Sequence, residues 1–222
     1  MNGLPEKTRR TRRENQAIFA FFSPEWVRQT ILSLPAILWA LTIHEWAHAW
    51  VAHKCGDDTA LFEGRLTLNP LAHLDPIGTL MLVLAGFGWA KPVPVNRYNF
   101  RYPSRDDILV SLGGVTANLL SAMAFAVIFV ALKRVPGYYT LKGMLNFAVY
   151  INLVLLFLNV IPIPPLDGSH VLHSYLPYRL QVRYEQLYPY APFILIALII
   201  TRATVVLVGV PATLLGDLLT MW

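Results

Sequence analysis

His44-Glu45-Trp46-Ala47-His48 is the stretch of this sequence best suited to chemistry. On a helix, positions i and i+4 share a face, so both imidazoles can reach one metal ion. Glu45 then stands within one water of that ion, where a general base is needed. The preceding run ILSLPAILWALTI has no helix breaker after Pro35, so a helix is expected through the motif. That run is also apolar, and ionisable groups at such depth are costly unless they have partners or a function. The bland alternative is a pair of interfacial histidines flanking an acid.

A catalytic zinc needs a third protein ligand and an open position for water. His53 lies nine residues after His44, which puts it half a turn out of phase. His73 and Asp75 fall in a loop, where Asp75 before Pro76 also suits a turn. Asp167 is the better candidate. It closes Asn159-Val-Ile-Pro-Ile-Pro-Pro-Leu-Asp-Gly168, at the end of a charge-free run broken by Pro162, Pro164 and Pro165. A lone Asp-Gly would read as a turn. Beside two histidines that need a carboxylate, it reads as a ligand, and broken helices at membrane depth are tolerated where they line a polar cavity. The expected centre is one Zn2+ per chain on His44, His48 and Asp167, although other divalent metals also bind such donors.

The elements that must position these groups are membrane-like. Of 222 residues, 55% are hydrophobic and only 14% charged, with mean hydropathy +0.49. Soluble domains carry about 25% charged residues. Residues 108–132 and 144–166 hold no charged side chain, and each exceeds the roughly 20 residues a spanning helix needs. The expected fold is therefore an all-α polytopic membrane protein. Its core would be three transmembrane helices with flanking helices and short membrane-associated β or re-entrant segments. Alternation over 61–68 suggests short strands, and 91–107 suggests a surface loop or hairpin. The glycine-rich apolar stretch 76–90 is short enough to be re-entrant or tilted. Residues 189–222 are apolar apart from Arg202 and Asp217, and Arg202 is expected to snorkel or to pair with Asp217. The domain reading is a basic tail over 1–25 and one membrane domain over 26–222, with its core at about 31–180.

The net charge of +5 does not imply nucleic acid, because cations of membrane proteins concentrate in cytoplasmic loops. Lys54, Arg65, Lys91, Arg97, Arg101, Arg105, Arg179 and Arg183 fall on one side if 76–90 does not cross. That side would be cytoplasmic. The basic tail then lies outside, unless residues 17–35 make a further pass. The single Cys55 excludes an intramolecular disulfide.

On HEWAHAW at 44–50, GRLTLNPLAHLDPIGTL at 64–80, FGWAKPVPVN at 87–96, GGVTANLL at 113–120 and NVIPIPPLDGSHVL at 159–172, the chain resembles the site-2 protease family of intramembrane zinc metalloproteases. The likeness is to its compact bacterial members without a PDZ domain, and it runs over about 36–175. The resemblance implies His44 and His48 as ligands, Glu45 as catalytic base and Asp167 as third ligand. It also implies Asn118, in Gly114-Val-Thr-Ala-Asn118, as a substrate or oxyanion contact. Packing against Gly113 and Gly114 is the alternative for that amide. The implied activity is hydrolysis of peptide bonds in or near transmembrane segments, on membrane-protein substrates within a bacterial plasma membrane, with the active site near the cytoplasmic side. A catalytically idle adaptor of the same fold and a metal transporter remain the other readings. Intact candidate ligands and base disfavour the first, and the lack of charged groups along 108–132 and 144–166 disfavours the second.

Overall fold

The computed structural model describes residues 23–222 except 86 and 87. The basic tail, the aromatic stretch up to residue 22, and Gly86 and Phe87 of the 76–90 segment lie outside the described residues.

Among the described residues, three helices are long and apolar enough to cross a membrane: α1 (Pro24–Cys55), α4 (Pro103–Lys133) and α5 (Tyr139–Val160). Each forms because a long apolar sequence in lipid can satisfy its backbone only internally. A boundary between compact units falls at Pro35, inside α1. On the N-terminal side of that boundary, Ser23 caps α1 by accepting from Trp26 N at 3.2 Å. Ala36–Trp222 forms the second unit and contains everything described below.

Short elements separate the long helices: α2 (Thr59–Phe62), a 3-10 turn at Pro70–His73, α3 (Pro76–Ala85) and a 3-10 turn at Arg97–Asn99. After α5, Pro162 to Pro165 stop the helix, and α6 (Asp167–Tyr175) and α7 (Tyr178–Glu185) follow. The C-terminal region bends by 79° between Tyr178–Ile200, which ends in α8 (Ala191–Ile200), and Val205–Thr220, which ends in α9 (Val210–Thr220). Arg202 sits in that bend with φ +57°. Among the described residues it makes no ion pair with Asp217, so the expected pairing is not formed.

The helices meet through small residues. Ala122 and Ala126 of α4, Val149 and Leu153 of α5, and Ala212 of α9 form one buried cluster. Small side chains let helix backbones approach closely where lipid offers no hydrophobic drive for association.

The all-α expectation holds among the described residues, and the β segments within it do not form. Residues 61–68 pass from α2 into turns, because Gly64 adopts φ +67° and the chain reverses there. Arg65, which alternation would face outward, is buried, and its guanidinium donates to Lys91 O at 2.7 Å. Lys91–Asn96 has no partner strand among the described residues, and Pro92 and Pro94 remove two ladder donors. One isolated bridge, Leu74 to Ala90, is all the pairing present among the described residues. Helix α3 has 10 residues, too few to span.

Candidate metal centre

Helix α1 buries one face that contains both motif histidines, His44 at 6% and His48 at 7% exposure. His44 Nδ1 donates to Asn118 Oδ1 at 2.7 Å, and His48 Nδ1 donates to Val110 O at 2.8 Å. These partners fix the tautomers by leaving each Nε2 with its lone pair. The two Nε2 atoms are 3.0 Å apart, and each is 3.3 Å from Asp167 Oδ2.

Three acceptor atoms therefore converge at one point. Asp167 Oδ2 is buried and has no hydrogen-bond partner. Lone pairs crowded together without a donor repel, and a cation between them removes the cost. The distances suit that cation, because tetrahedral bonds of roughly 2.0–2.1 Å separate ligand atoms by about 3.3 Å. His44, His48 and Asp167 are the group of side chains that could hold a metal ion among the described residues.

Helix α4 makes room for this arrangement. A Cβ on Gly114 would lie 2.5 Å from His48 Nε2 and 2.6 Å from His44 Cε1, so only glycine fits there. One turn further on, Asn118 is fully buried. Its carbonyl accepts from His44, and its amide donates to Ala40 O and to Asn152 Oδ1, each at 3.0 Å. Asn152 in turn donates to Ala148 O at 2.8 Å. One amide thus ties α1, α4 and α5 together behind the imidazoles.

Glu45 faces a cavity of about 320 Å³ that also exposes His44, His48, Asn159 and Asp167. Val93 N donates to Glu45 Oε2 at 2.8 Å, which orients the carboxylate and leaves its second oxygen for a proton. The loop carrying Val93 is latched by Asp57, a fully buried carboxylate that accepts from Asn96 N at 2.7 Å, Asn99 Nδ2 at 2.8 Å and Thr59 N at 3.1 Å. Burial raises the Asp57 pKa, and hydrogen bonds from the Thr59 hydroxyl, the Asn99 amide and the Asn96 and Thr59 backbone N–H groups more than reverse the effect.

Three further charged or titratable groups line the cavity: Arg97, Asp107 and His170. Arg97 Nε lies 2.8 Å from Asp107 Oδ1, and its guanidinium also donates to His170 Nδ1. Burial first, and then the adjacent guanidinium, lower the His170 pKa and favour the neutral ring. The other histidines considered from sequence lie elsewhere. His53 pairs with Asp58, and His73 bonds Thr67 O at 2.8 Å. Asp75 accepts from Gly78 N at 2.7 Å at the start of α3. Asn159 lines the cavity and donates to Leu155 O at 3.0 Å.

The sequence profile of peptidase family M50, the site-2 protease family, matches residues 138–200. YwhC of Bacillus subtilis, named a candidate zinc metalloprotease, is 39% identical over 168 residues, covering 73% of this chain and 77% of YwhC. This chain belongs to peptidase family M50. Two further relatives carry the same kind of name. Rip2 of Mycolicibacterium smegmatis is 30% identical over 181 residues (78% of this chain, 68% of Rip2). MJ0611 of Methanocaldococcus jannaschii is 29% identical over 145 residues (64% of this chain, 69% of MJ0611). No solved structure matches the chain. The M50 profile match covers α5 to α8 and so includes Asp167 and His170. The two histidines that converge on Asp167 in this M50 chain lie outside it, on α1.

Proposed function

We propose that this chain is a zinc metalloendopeptidase that hydrolyses peptide bonds in or near transmembrane segments of membrane proteins. One observation carries the reading. Three converging acceptors and an oriented carboxylate share a cavity in a protein whose long helices suit a lipid bilayer. His44, His48 and Asp167 are the ligands, and the zinc metalloprotease names of the relatives make zinc the expected ion. When bound, zinc supplies Lewis acidity that brings the pKa of a coordinated water toward neutrality and polarises a carbonyl.

Glu45, held through Oε2 by Val93, takes the proton of the nucleophilic water on its other oxygen and passes it to the leaving amine. The substrate is a membrane protein with a transmembrane helix, which must unwind locally to present a carbonyl. Lipid is the second partner. The cation-rich loops support a multi-pass chain in a cell membrane with its active site near the cytoplasmic side.

Asn118 takes a different role from the one the resemblance implies. Its donors are spent on Ala40 and Asn152 inside the helix bundle, so it positions the His44 ring and does not meet the oxyanion. Asn118→Ala is therefore expected to weaken zinc affinity by about 10–100-fold, as loss of an outer-shell partner does. Chelator competition measures this. Unchanged zinc affinity with a reduced kcat would return Asn118 to the oxyanion.

The function itself is tested on detergent-purified protein by metal analysis and by cleavage of a membrane-helix substrate in the same samples. About one zinc per chain is expected, with Asp167→Ala losing both metal and cleavage. Stoichiometric zinc without cleavage of any helical substrate would sink the protease reading, and no zinc at all would sink the metal centre too.

A further inference from the structure

A second cavity, of about 690 Å³, lies between α1 and α4 and has a distinct chemical polarity along its length. At one end stand Lys54, Arg101 and Arg105. Among the described residues none of the three forms an ion pair. Two of them sit over aromatic rings: Lys54 Nζ is 5.8 Å from the Trp50 ring centre, and the Arg105 guanidinium is 5.7 Å from that of Tyr102. The one acid in the lining, Asp106, is buried and accepts from Tyr102 N at 2.9 Å. Away from the cations the walls turn apolar, through the stacked Trp46 and Trp50 to Leu112, Ala117 and Leu120.

We propose that this groove binds one anionic glycerophospholipid, its phosphate on Lys54, Arg101 and Arg105 and an acyl chain along α4 toward Leu120. Three arguments select this occupant. The cations cluster at one end of an apolar trough, which matches a molecule with an anionic head and a hydrocarbon tail. From Arg105 to Leu120 helix α4 rises about 22 Å, an acyl-chain length at 1.5 Å per residue. A peptide is a poorer occupant because both walls are helices whose backbone groups are bonded internally and offer an entering chain no partners. The floor is the line where Gly113 approaches Ala47, and Gly114, next along, abuts both imidazoles from the other side. A bound chain therefore braces the helix pair that shapes the metal centre.

The test needs no catalysis. Wild-type protein is reconstituted in phosphatidylcholine vesicles with increasing brominated phosphatidylglycerol or, in parallel, brominated phosphatidylcholine, and Trp46 and Trp50 quenching is isolated by difference from a Trp46→Phe/Trp50→Phe variant. Each unpaired cation near a membrane surface contributes roughly a fivefold preference for an anionic over a zwitterionic lipid. The triple variant Lys54→Gln/Arg101→Gln/Arg105→Gln is expected to lose that preference while retaining its metal content and helicity. Thr116→Trp keeps the cations but fills the apolar trough at an exposed position. It is expected to lose the bound lipid as well, seen by native mass spectrometry. Equal quenching by both lipids in the wild type would overturn the site. So would an anionic preference that survives Thr116→Trp, since that would reduce it to general surface charge. Displacement of the lipid by a substrate helix would assign the groove to peptide and overturn it too.

Discussion

Glu45→Gln is expected to abolish cleavage and leave zinc in place. The substitution keeps the side chain's length and an oxygen for the Val93 N–H, so the loop and the carbonyl geometry survive. What it removes is the basic oxygen that accepts the proton of the attacking water. General base catalysis contributes about 10²–10⁴-fold, and the loss should fall on kcat, because Glu45 is not among the atoms that converge on the metal. Metal content and single-turnover cleavage on the same preparation separate the roles. Residual activity within about tenfold of wild type would leave proton transfer to another group, with His170 on the same cavity wall the next to examine.

Gly114→Ala is expected to empty the metal centre with a single methyl group. The added carbon would fall 2.5 Å from His48 Nε2, 2.6 Å from His44 Cε1 and 2.7 Å from His44 Nδ1. Relief by moving α4 would cost the Asn118 and Val110 bonds to the same two rings, because those partners stand on the same helix. Zinc affinity should drop beyond the roughly 100-fold that loss of an outer-shell partner costs. Gly143→Ala on α5 is the matched control: nothing lies within 4 Å of its Cβ position, so zinc binding should be unchanged. If Gly114→Ala binds zinc normally, the close approach of α4 to the imidazoles is not needed for the centre.

Much of the candidate site could be read along the chain, for a physical reason. Ligand spacing on one helix and a carboxylate behind a proline break are local patterns, so His44, His48 and Asp167 stood out before any fold was known. The structure brings all three to one point. The groups that orient them leave weaker traces. Val110 and Val93 act through a backbone carbonyl and a backbone N–H, which every residue has. Asn152 did leave a signal, as one of three amides (Asn146, Asn152 and Asn159) within the charge-free run 144–166, and it proves to be the partner of Asn118. Arg97, Asp107 and His170 were hidden because only the folded chain brings their three segments together. The expected strands failed because the alternation over 61–68 was set against Gly64 and neighbouring prolines, and turn chemistry outweighed the pattern.

The wide spacing of the ligands along the chain has a consequence for biogenesis. Asn118 follows His44 by 74 residues, and Asp167 comes later still, after two further long helices. Synthesis runs from the N-terminus, so a nascent chain that has already inserted its HEWAH helix still lacks the carboxylate that completes the constellation. The three-residue cluster is thus complete only after α6 has been made and Asp167 has been brought to His44 and His48.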